Sequence, residues 1–274
     1  MTESIASLDQ SFVVTKEYRR FAEFCDACRR HRYIGLCYGP PGVGKTLSAQ
    51  QYASWDRIES LETYYGRTEP PPPDVLPCRT VFYTPPVANT PSLLGREIYA
   101  LCRKLSILVG EAGLTQPRAE FDPLPWEAPD CVELVVVDEA DRLKMAALEH
   151  MRDMYDRGRF GLILVGMPGL EKRLSRYAQL YSRVGFVHAF RPLSVEELRF
   201  ILEHHWDQFG LPFNRADWTD VEAVSTIIRM TGGNFRLLKR LFTQIQRILE
   251  INHLTTVTKE VIEAARDSLI IGSL

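Results

Sequence analysis

The residues with the clearest chemical potential form a glycine-rich loop that fits the pattern G-x-x-x-x-G-K-[ST]. The members of this phosphate loop are Gly39, Pro40, Pro41, Gly42, Val43, Gly44, Lys45 and Thr46. Glycines at these spacings let successive backbone N–H groups point at a polyphosphate, while a lysine adds positive charge near its terminal phosphates. The threonine hydroxyl can ligate Mg²⁺. We therefore predict that these residues, with the adjoining Leu47, bind the phosphates of a nucleotide.

A second group of reactive side chains, Asp138 and Glu139, ends the apolar run 134–137. Such a run is typical of a central parallel strand, whose carboxyl end opens into the crevice where α/β sheets bind ligands. We expect Asp138 to hold Mg²⁺ with Thr46, directly or through water, and Glu139 to orient and deprotonate an attacking water. A kinase for a small substrate does not need that glutamate. The pair therefore favours hydrolysis, with Lys45 and Glu139 as catalytic residues.

These motifs need secondary structure that brings them to one edge of a sheet. Strand-like apolar runs recur along the chain, separated by segments long enough for helices, at 33–38, 80–84, 134–138, 161–165 and 186–190. This alternation predicts an α/β fold with a doubly wound, parallel, five-stranded sheet and right-handed crossovers.

The pattern changes after Phe190. Ser194 and Glu197 have the spacing of a capping box, and no strand signal follows them. Helical patterns cover 195–209, 218–231, 235–251 and 259–269. We predict a nucleotide-binding core at 1–191 and a small, all-helical C-terminal domain at 192–274.

The overall composition limits the classes of function that the protein can have. The 274 residues are 45% hydrophobic and 25% charged, as in ordinary soluble globular proteins. The net charge of −2 argues against a globally basic nucleic-acid binder, so any DNA contact must come from a local patch or from many subunits. No apolar stretch approaches the length of a membrane span, and the N-terminus lacks the regions of a signal peptide. These features predict a cytoplasmic protein without a membrane partner.

The six cysteines are scattered, which suits a reducing compartment. Cys25 and Cys28 form a lone C-x-x-C within a stretch of helical apolar spacing. Zinc or redox chemistry is the alternative to packing for this pair. Without a second pair, the pattern favours packing.

A third feature lies between two of the C-terminal helical patterns. Gly232 and Gly233 end one pattern, and Asn234 caps the next. Arg236 then falls in the first turn, where the helix dipole disfavours a cation. An arginine at this place indicates an external anionic partner.

With a phosphate loop, an Asp-Glu strand, a fourth strand and an arginine-bearing helix in this order, the chain resembles the AAA+ ATPases over nearly its whole length. The resemblance implies ATP and Mg²⁺ as cofactors, a helical domain that acts as a lid, and contact of Arg236 with the nucleotide phosphates. It also implies an arginine finger, Arg183, that reaches the γ-phosphate bound by a neighbouring subunit and makes hydrolysis depend on assembly. Arg173 and Arg176 are alternatives for that role.

The chain departs from that family at Met167, which follows the fourth strand. Many AAA+ proteins carry Asn, Ser or Thr there, and that residue helps to hold the attacking water. A thioether cannot do this. We therefore expect slow hydrolysis that relies on Glu139, in a protein that works as an ATP-dependent switch more than as a motor.

Within the superfamily, Asp138-Glu139-Ala140-Asp141-Arg142-Leu143 and the segment 164–170 resemble the TniB, TnsC and MuB group of transposition regulators. This resemblance implies head-to-tail assembly with ATP on duplex DNA, as a ring or helical filament. It also implies recruitment of a transposase, with a target-selection protein as a further candidate partner, and disassembly on hydrolysis. An alternative is a clamp-loader or initiator-like factor that remodels a protein partner without touching DNA. A small-molecule kinase is a second alternative, disfavoured by Glu139, Arg183 and Arg236.

Candidates for DNA contact fall in two places. Those after the second strand-like run are Asn89, Thr90, Ser92 and Arg96. They open a helical pattern whose N-terminal amides can meet a phosphate. Those after the Asp-Glu pair are Arg142 and Lys144, for which solvated helix charges are the alternative. Weak contacts can suffice when they are repeated around an assembly.

Overall fold

The computed structural model describes residues 12–61, 70–113, 130–204, 206, 214 and 217–269. Contacts divide the chain into two compact units. The α/β unit comprises the described parts of residues 18–39 and 45–190, and the helical unit comprises the described parts of 1–17, 40–44 and 191–274. This division falls one residue before the predicted boundary and assigns the middle of the phosphate loop to the helical unit.

The α/β unit is built on five parallel strands, namely β1 Ile34–Tyr38, β2 Thr80–Tyr83, β3 Leu134–Val137, β4 Gly161–Gly166 and β5 Val184–Ala189. They lie in the order β2-β3-β4-β1-β5. Because parallel neighbours cannot be joined by hairpins, each connection crosses over before the next strand begins. The predicted α/β fold with a five-stranded parallel sheet is confirmed.

The burial of each strand explains how easily the strand can be predicted from the sequence. Every residue of β3 and β4 is buried, which accounts for their continuous apolar runs. In contrast, β5 lies at an edge of the sheet and alternates half-buried and exposed residues. It begins at Val184, before the predicted start at 186, because an alternating strand interrupted by Gly185 carries no continuous apolar signal.

The helices that precede β5 are α1 Lys16–His31, α2 Lys45–Ala53, α3 Trp55–Ser60, α4 Pro91–Ala112, α5 Met145–Arg157, α6 Leu170–Leu174 and α7 Ala178–Tyr181. Short 3₁₀ turns occupy Pro73–Val75 and Ala140–Arg142. The Thr90 hydroxyl caps α4 by accepting the Leu93 N–H at 3.2 Å. Helix α2 begins at Lys45, so the loop's lysine and threonine form its first turn.

The helical unit contains α8 Val195–His204, α9 Trp218–Thr231, α10 Phe235–Asn252 and α11 Lys259–Asp267. Its buried core includes Leu202, Trp206, Ile227, Leu241, Ile245 and Ile262. The predicted capping box is present, because Glu197 N–H donates to the Ser194 hydroxyl and Ser194 N–H donates to the Glu197 carboxylate, each at 3.2 Å. The predicted end of the first helix, at 209, lies outside the described residues. No described helix is both long and apolar enough to cross a membrane.

Cys25 and Cys28 lie on α1 and are fully buried. The Cys28 sulfur and the Phe24 ring occupy the space that a side chain at Gly35 would need. Burial raises the pKa of the Cys28 thiol to about 12, so it is protonated at neutral pH. These contacts support the interpretation of the pair as packing between α1 and β1.

Candidate active site

The phosphate loop turns through two glycines in the left-handed region, Gly42 at φ 79° and Gly44 at φ 102°. A residue with a Cβ would be strained at either place, so the turn itself requires these glycines. Gly39 meets a different constraint, because a side chain there would overlap the Phe190 carbonyl. Its N–H donates to the Gly166 carbonyl at 3.3 Å, which holds the start of the loop at the carboxyl edge of the sheet.

Lys45 is buried at the first position of α2, whereas its neighbours Thr46 and Leu47 are exposed. The Lys45 ammonium donates to the Gly39 carbonyl at 2.6 Å, so the side chain folds back over the start of the loop. Burying an ammonium costs solvation energy that a nearby anion offsets. The arrangement suits a lysine that meets the terminal phosphates of a nucleotide.

The Thr46 hydroxyl donates to a carboxylate oxygen of Asp138 across 2.6 Å. Asp138 follows β3, is only 3% exposed, and donates its N–H to the Tyr83 carbonyl at 2.8 Å. Burial raises the pKa of Asp138, while hydrogen bonds from the Thr46 hydroxyl and the Glu139 N–H act in the opposite direction. A buried carboxylate beside a hydroxyl offers hard oxygen donors, and this donor set fits Mg²⁺.

Glu139 turns the chain out of the sheet in a left-handed conformation, φ 48°, which is uncommon for a residue with a Cβ. Its N–H donates to Asp138 Oδ1 at 2.9 Å. Its carboxylate pairs with Arg142, with 2.6 Å between Glu139 Oε2 and Arg142 Nη2. The predicted general base is therefore held by a cation of its own chain. Sequence reasoning missed this contact, for which the i, i+3 spacing was the available signal.

Met167, which stands where many AAA+ proteins have Asn, Ser or Thr, directly follows β4. The Met167 side chain is 40% exposed and offers no strong acceptor or donor. Its backbone N–H donates to Asp141 Oδ2 at 2.7 Å, and the same carboxylate lies over Gly166. Asp141, from the segment after β3, therefore brings a carboxylate to the end of β4 beside Met167. No pattern in the sequence predicted this contact.

In the helical unit, the start of α10 contacts the middle of the phosphate loop. Asn234 caps the helix by accepting the Leu237 N–H at 3.1 Å, and its Nδ2 donates to the Pro41 carbonyl at 3.0 Å. The Arg236 backbone N–H donates to the Gly42 carbonyl at 3.2 Å. The Arg236 guanidinium is exposed and has no hydrogen bond or ion pair to the residues that the structure describes. The Arg236 guanidinium is therefore available to an anion. The contact of Asn234 with the phosphate loop was not predicted from the sequence.

Arg183, the predicted arginine finger, is engaged within its own chain. Its Nε and Nη2 donate to the two carboxylate oxygens of Asp156 at 2.6 and 2.8 Å, and Nη1 donates to the Gln179 carbonyl. The Arg183 guanidinium holds the pKa of Asp156 below its ordinary value. Of the two alternatives, Arg173 donates to the Asp141 and Leu143 carbonyls. Arg176 is exposed and has no side-chain partner within the described ranges.

The structure divides the DNA-contact candidates into two groups. Asn89 donates to the Pro86 and Arg142 carbonyls, at 2.9 and 3.3 Å, and Thr90 serves as the α4 cap. Arg142 pairs with Glu139. The side chains of Asn89, Thr90 and Arg142 are thus all bonded within the chain. The exposed candidates whose side chains have no hydrogen bond or ion pair within the described part of the chain are Ser92, Arg96 and Lys144.

Comparison with known proteins places this geometry in context. A family model described as "AAA domain" matches residues 28–174. A Staphylococcus aureus protein named "Potential ATP-binding protein" is 44% identical over 272 residues, which cover 96% of this chain and 98% of that protein. A Haemophilus influenzae protein named "Mu-like prophage FluMu DNA transposition protein B" is 24% identical over 242 residues, which cover 85% of this chain and 71% of that protein.

The fold is also found among solved structures. The Thermotoga maritima RuvB Holliday junction branch migration motor aligns with a TM-score of 0.58 at 17% identity. The alignment covers 95% of this chain and 71% of that one. At this identity, the likeness shows a shared fold and leaves the function to be argued from the site.

Proposed function

Because this chain belongs to the AAA domain family of ATPases, we propose that it is an ATP-dependent, DNA-binding regulator of DNA transposition. In this proposal it assembles on duplex DNA with ATP, recruits or activates a transposase at the target, and leaves the DNA when ATP is hydrolysed. The observation that carries the proposal is the likeness to a DNA transposition protein B over 85% of this chain, in a chain that also carries a phosphate loop and an acidic pair.

The proposed nucleotide chemistry follows from the residues at the carboxyl edge of the sheet. The phosphate loop binds the triphosphate, with Lys45 near its terminal phosphates and Arg236 as a further cation. Thr46 and Asp138 hold Mg²⁺, which when bound neutralises charge on the phosphates. Glu139 takes the proton of the attacking water, and it can do so only when its carboxylate is within hydrogen-bond reach of that water.

We propose that a neighbouring subunit completes the site with Arg183, so that hydrolysis depends on head-to-tail assembly into a ring or helical filament. Arg183 would first have to leave Asp156. A γ-phosphate can compete with the Asp156 carboxylate because phosphate oxygens accept the same paired N–H donors of a guanidinium. Arg176, which has no described partner to leave, is the alternative finger. With Met167 at the end of β4, we expect turnover to be slow.

Duplex DNA is the proposed partner of the exposed residues Ser92, Arg96 and Lys144. Few cations per subunit give weak binding, and assembly multiplies them along the phosphate backbone. This reasoning predicts that binding depends on ATP, weakens steeply with salt and has no strong sequence preference. A target-selection protein remains a further proposed partner beside the transposase.

Electron microscopy and sedimentation test this function. With a non-hydrolysable ATP analogue, Mg²⁺ and duplex DNA, the protein should form rings or filaments on DNA, and the same mixture with Lys45→Ala should not. Monomers under all of these conditions would contradict the proposal. Assembly with equal ATPase rates with and without DNA would instead favour the second candidate, a clamp-loader or initiator-like factor that remodels a protein partner.

A further inference from the structure

The outer edge of β5 has open backbone groups in the part of the chain that the structure describes. β5 pairs with β1 on one side, and no described strand pairs with its other side. Phe190, which directly follows β5, donates its N–H to the Tyr38 carbonyl at 2.8 Å and so faces β1. Because neighbouring residues of a strand point their N–H and C=O groups to opposite sides, Val187 and Ala189 direct theirs away from β1. Within the described residues, no hydrogen bond reaches these outward groups.

The side chains along this edge are small and uncharged. Val187 is 54% exposed, and Gly185 and Ala189 are exposed as well. The strand Val184–Ala189 contains no lysine, arginine, aspartate, glutamate or proline. Natural proteins protect an exposed sheet edge with such residues, or cover it, because open backbone groups pair readily with another strand. An edge without charged residues or proline indicates that a partner strand covers it.

Two features limit the length of the open edge. β5 carries one extra residue, Gly185, where its register against β1 shifts. This bulge interrupts regular pairing before Phe186. At the other end, the Arg191 N–H already donates to a Glu17 carboxylate oxygen at 3.1 Å. The stretch available for pairing is therefore 186–190, which we name the β5 edge.

The β5 edge is complementary to a second copy of itself. In an antiparallel pair, Val187 of one copy lies opposite Ala189 of the other, and the same contact recurs on the other side of a two-fold axis. Two residues that face each other in this way exchange both of their N–H···O bonds, so every open group of the two edges is satisfied. The facing side chains are apolar, and no like charges lie opposite each other.

Charge favours a second copy over a charged partner strand. Arg183, which precedes β5, is already paired with Asp156 at 2.6 Å. An acidic or basic strand would therefore lose hydration on the β5 edge without gaining an opposite charge. An apolar strand avoids that cost, and the β5 edge of another copy is such a strand.

We propose that two copies of this chain pair through their β5 edges, antiparallel across a two-fold axis, and join their sheets into one continuous sheet. The pairing uses neither the phosphate loop nor the acidic pair, so it requires no nucleotide and does not rest on the proposed function. Because the contact is isologous, it closes as a dimer, whereas head-to-tail contacts generate rings or filaments. A short strand pair buries little surface, so we expect a weak dimer that forms at micromolar or higher protein concentrations.

Analytical ultracentrifugation of the nucleotide-free protein over a range of concentrations tests this pairing. Wild type should dimerise as the concentration rises. Val187→Lys brings two like charges close together at the axis, and should weaken dimerisation by roughly tenfold or more. Val195→Lys is the matched control, because Val195 on α8 is also 54% exposed and the change should leave the dimer intact. Unchanged melting temperatures show that both variants are folded.

A charge exchange tests which residues meet. Ala189→Glu should also weaken dimerisation, by the same repulsion. A mixture of Val187→Lys and Ala189→Glu proteins places the lysine of one copy opposite the glutamate of the other, and should restore dimers. A mixture that stays monomeric at concentrations where wild type dimerises would overturn the antiparallel pairing.

Hydrogen exchange measures the edge directly. The amides of Val187 and Ala189 should exchange rapidly in dilute protein and become protected as the protein dimerises. The Phe190 amide, which is bonded to Tyr38, is the internal reference and should be protected throughout. Protection of Val187 and Ala189 that does not change with concentration would show that the same chain covers the edge, and would overturn the proposal. Wild-type protein that stays monomeric, or folded Val187→Lys protein that dimerises as wild type does, would also overturn it.

These outcomes are separate from those of the proposed function. A nucleotide-free dimer that Val187→Lys weakens supports the β5 pairing even if the protein never assembles with ATP on DNA. Assembly of Val187→Lys on DNA with ATP, combined with loss of the nucleotide-free dimer, supports both proposals. Dimers that form only with ATP would indicate a head-to-tail contact and would overturn the β5 pairing.

Discussion

Thr46 and Asp138 are 92 residues apart in the sequence, yet the Thr46 hydroxyl lies 2.6 Å from a carboxylate oxygen of Asp138. Thr46 belongs to the helix that follows β1, and Asp138 follows β3, with β4 lying between these two strands. Because all strands are parallel, their carboxyl ends meet at one edge, and segments leaving them can converge. The sheet order thus assembles a pair of oxygen donors that we propose as the Mg²⁺ site.

Removing the Thr46 hydroxyl should impair metal use more than nucleotide binding. We expect Thr46→Ala to raise the Mg²⁺ concentration for half-maximal ATP turnover by at least about tenfold, the typical cost of losing a metal-orienting group. Thr46→Ser keeps the hydroxyl and is the matched control. A Mg²⁺ titration of turnover checks this, and equal curves for Thr46→Ala and wild type would remove Thr46 from the proposed metal site.

Asp138→Asn should stabilise the protein in the absence of metal. Burial raises the pKa of Asp138, so the folded state binds this proton more tightly than the unfolded state does. The stability that the group contributes is therefore present at low pH and is lost as the pH rises from the ordinary value of 3.8 through the folded one. At neutral pH, the asparagine side chain carries no buried charge, so we expect Asp138→Asn to raise the melting temperature above that of wild type.

Scanning calorimetry at several pH values, with a chelator present to remove metal, measures the gain in melting temperature of Asp138→Asn. The difference between Asp138→Asn and wild type should shrink as the pH falls toward 3.8, because the wild-type carboxyl is then protonated as well. A difference that stays constant with pH would show that the buried charge is not its cause. Excess Mg²⁺ at neutral pH should stabilise wild type and leave Asp138→Asn unaffected.

Glu139→Gln should separate nucleotide binding from hydrolysis. The amide keeps the shape of the side chain but cannot accept the proton of water, so we expect turnover to fall by about 10²–10⁴-fold. Nucleotide affinity should persist, and assemblies with ATP should become long-lived. Glu149→Gln, an acid-to-amide change on α5, is the control. Turnover at the wild-type rate in Glu139→Gln would remove Glu139 from the catalytic role.

Mixed assemblies can test whether Arg183 acts on a neighbouring subunit. We expect Arg183→Ala to lower turnover by about 10³-fold or more, the usual value of an arginine finger. Lys45→Ala should be inactive for a different reason. Lys45→Ala is not expected to assemble alone, but an Arg183→Ala subunit still binds ATP and can receive the arginine of a Lys45→Ala neighbour, so mixing the two proteins should restore turnover. If mixing with Lys45→Ala restores the turnover of Arg176→Ala but not that of Arg183→Ala, Arg176 is the arginine finger.

Gly42→Ala should destabilise the contact between the phosphate loop and α10. Its φ of 79° costs about 1–2 kcal/mol for a residue with a Cβ, and the added methyl would overlap Asn234 Oδ1. We expect a lower melting temperature and weaker nucleotide binding. Gly110→Ala is the control, since it lies within α4 with no atom near the added methyl and should stabilise the helix. Equal melting temperatures for the two variants would contradict this account.

Local sequence patterns were sufficient to predict secondary structure wherever all residues of an element are buried. The buried strands β3 and β4 produced continuous apolar runs, whose shortness and β-branched residues favour a strand over a buried helix. The cap at Asn234 followed from side-chain chemistry within four residues. The start of β5 was missed because an edge strand shows only alternation. The partners of Glu139 and Arg183 were also missed, since a side chain with several nearby charges selects among them only after the chain has folded.

The sequence by itself determined the α/β fold and nominated the phosphate loop and the acidic pair, because periodicity and loop glycines act over a few neighbouring residues. Only the tertiary structure decided that Asp156 holds Arg183, that Arg142 holds Glu139 and that Asp141 lies at the end of β4. Such pairings depend on distances of a few ångströms between side chains. In the cases of Arg183 and Asp141, separate segments bring these side chains together, and no spacing along the chain encodes that approach.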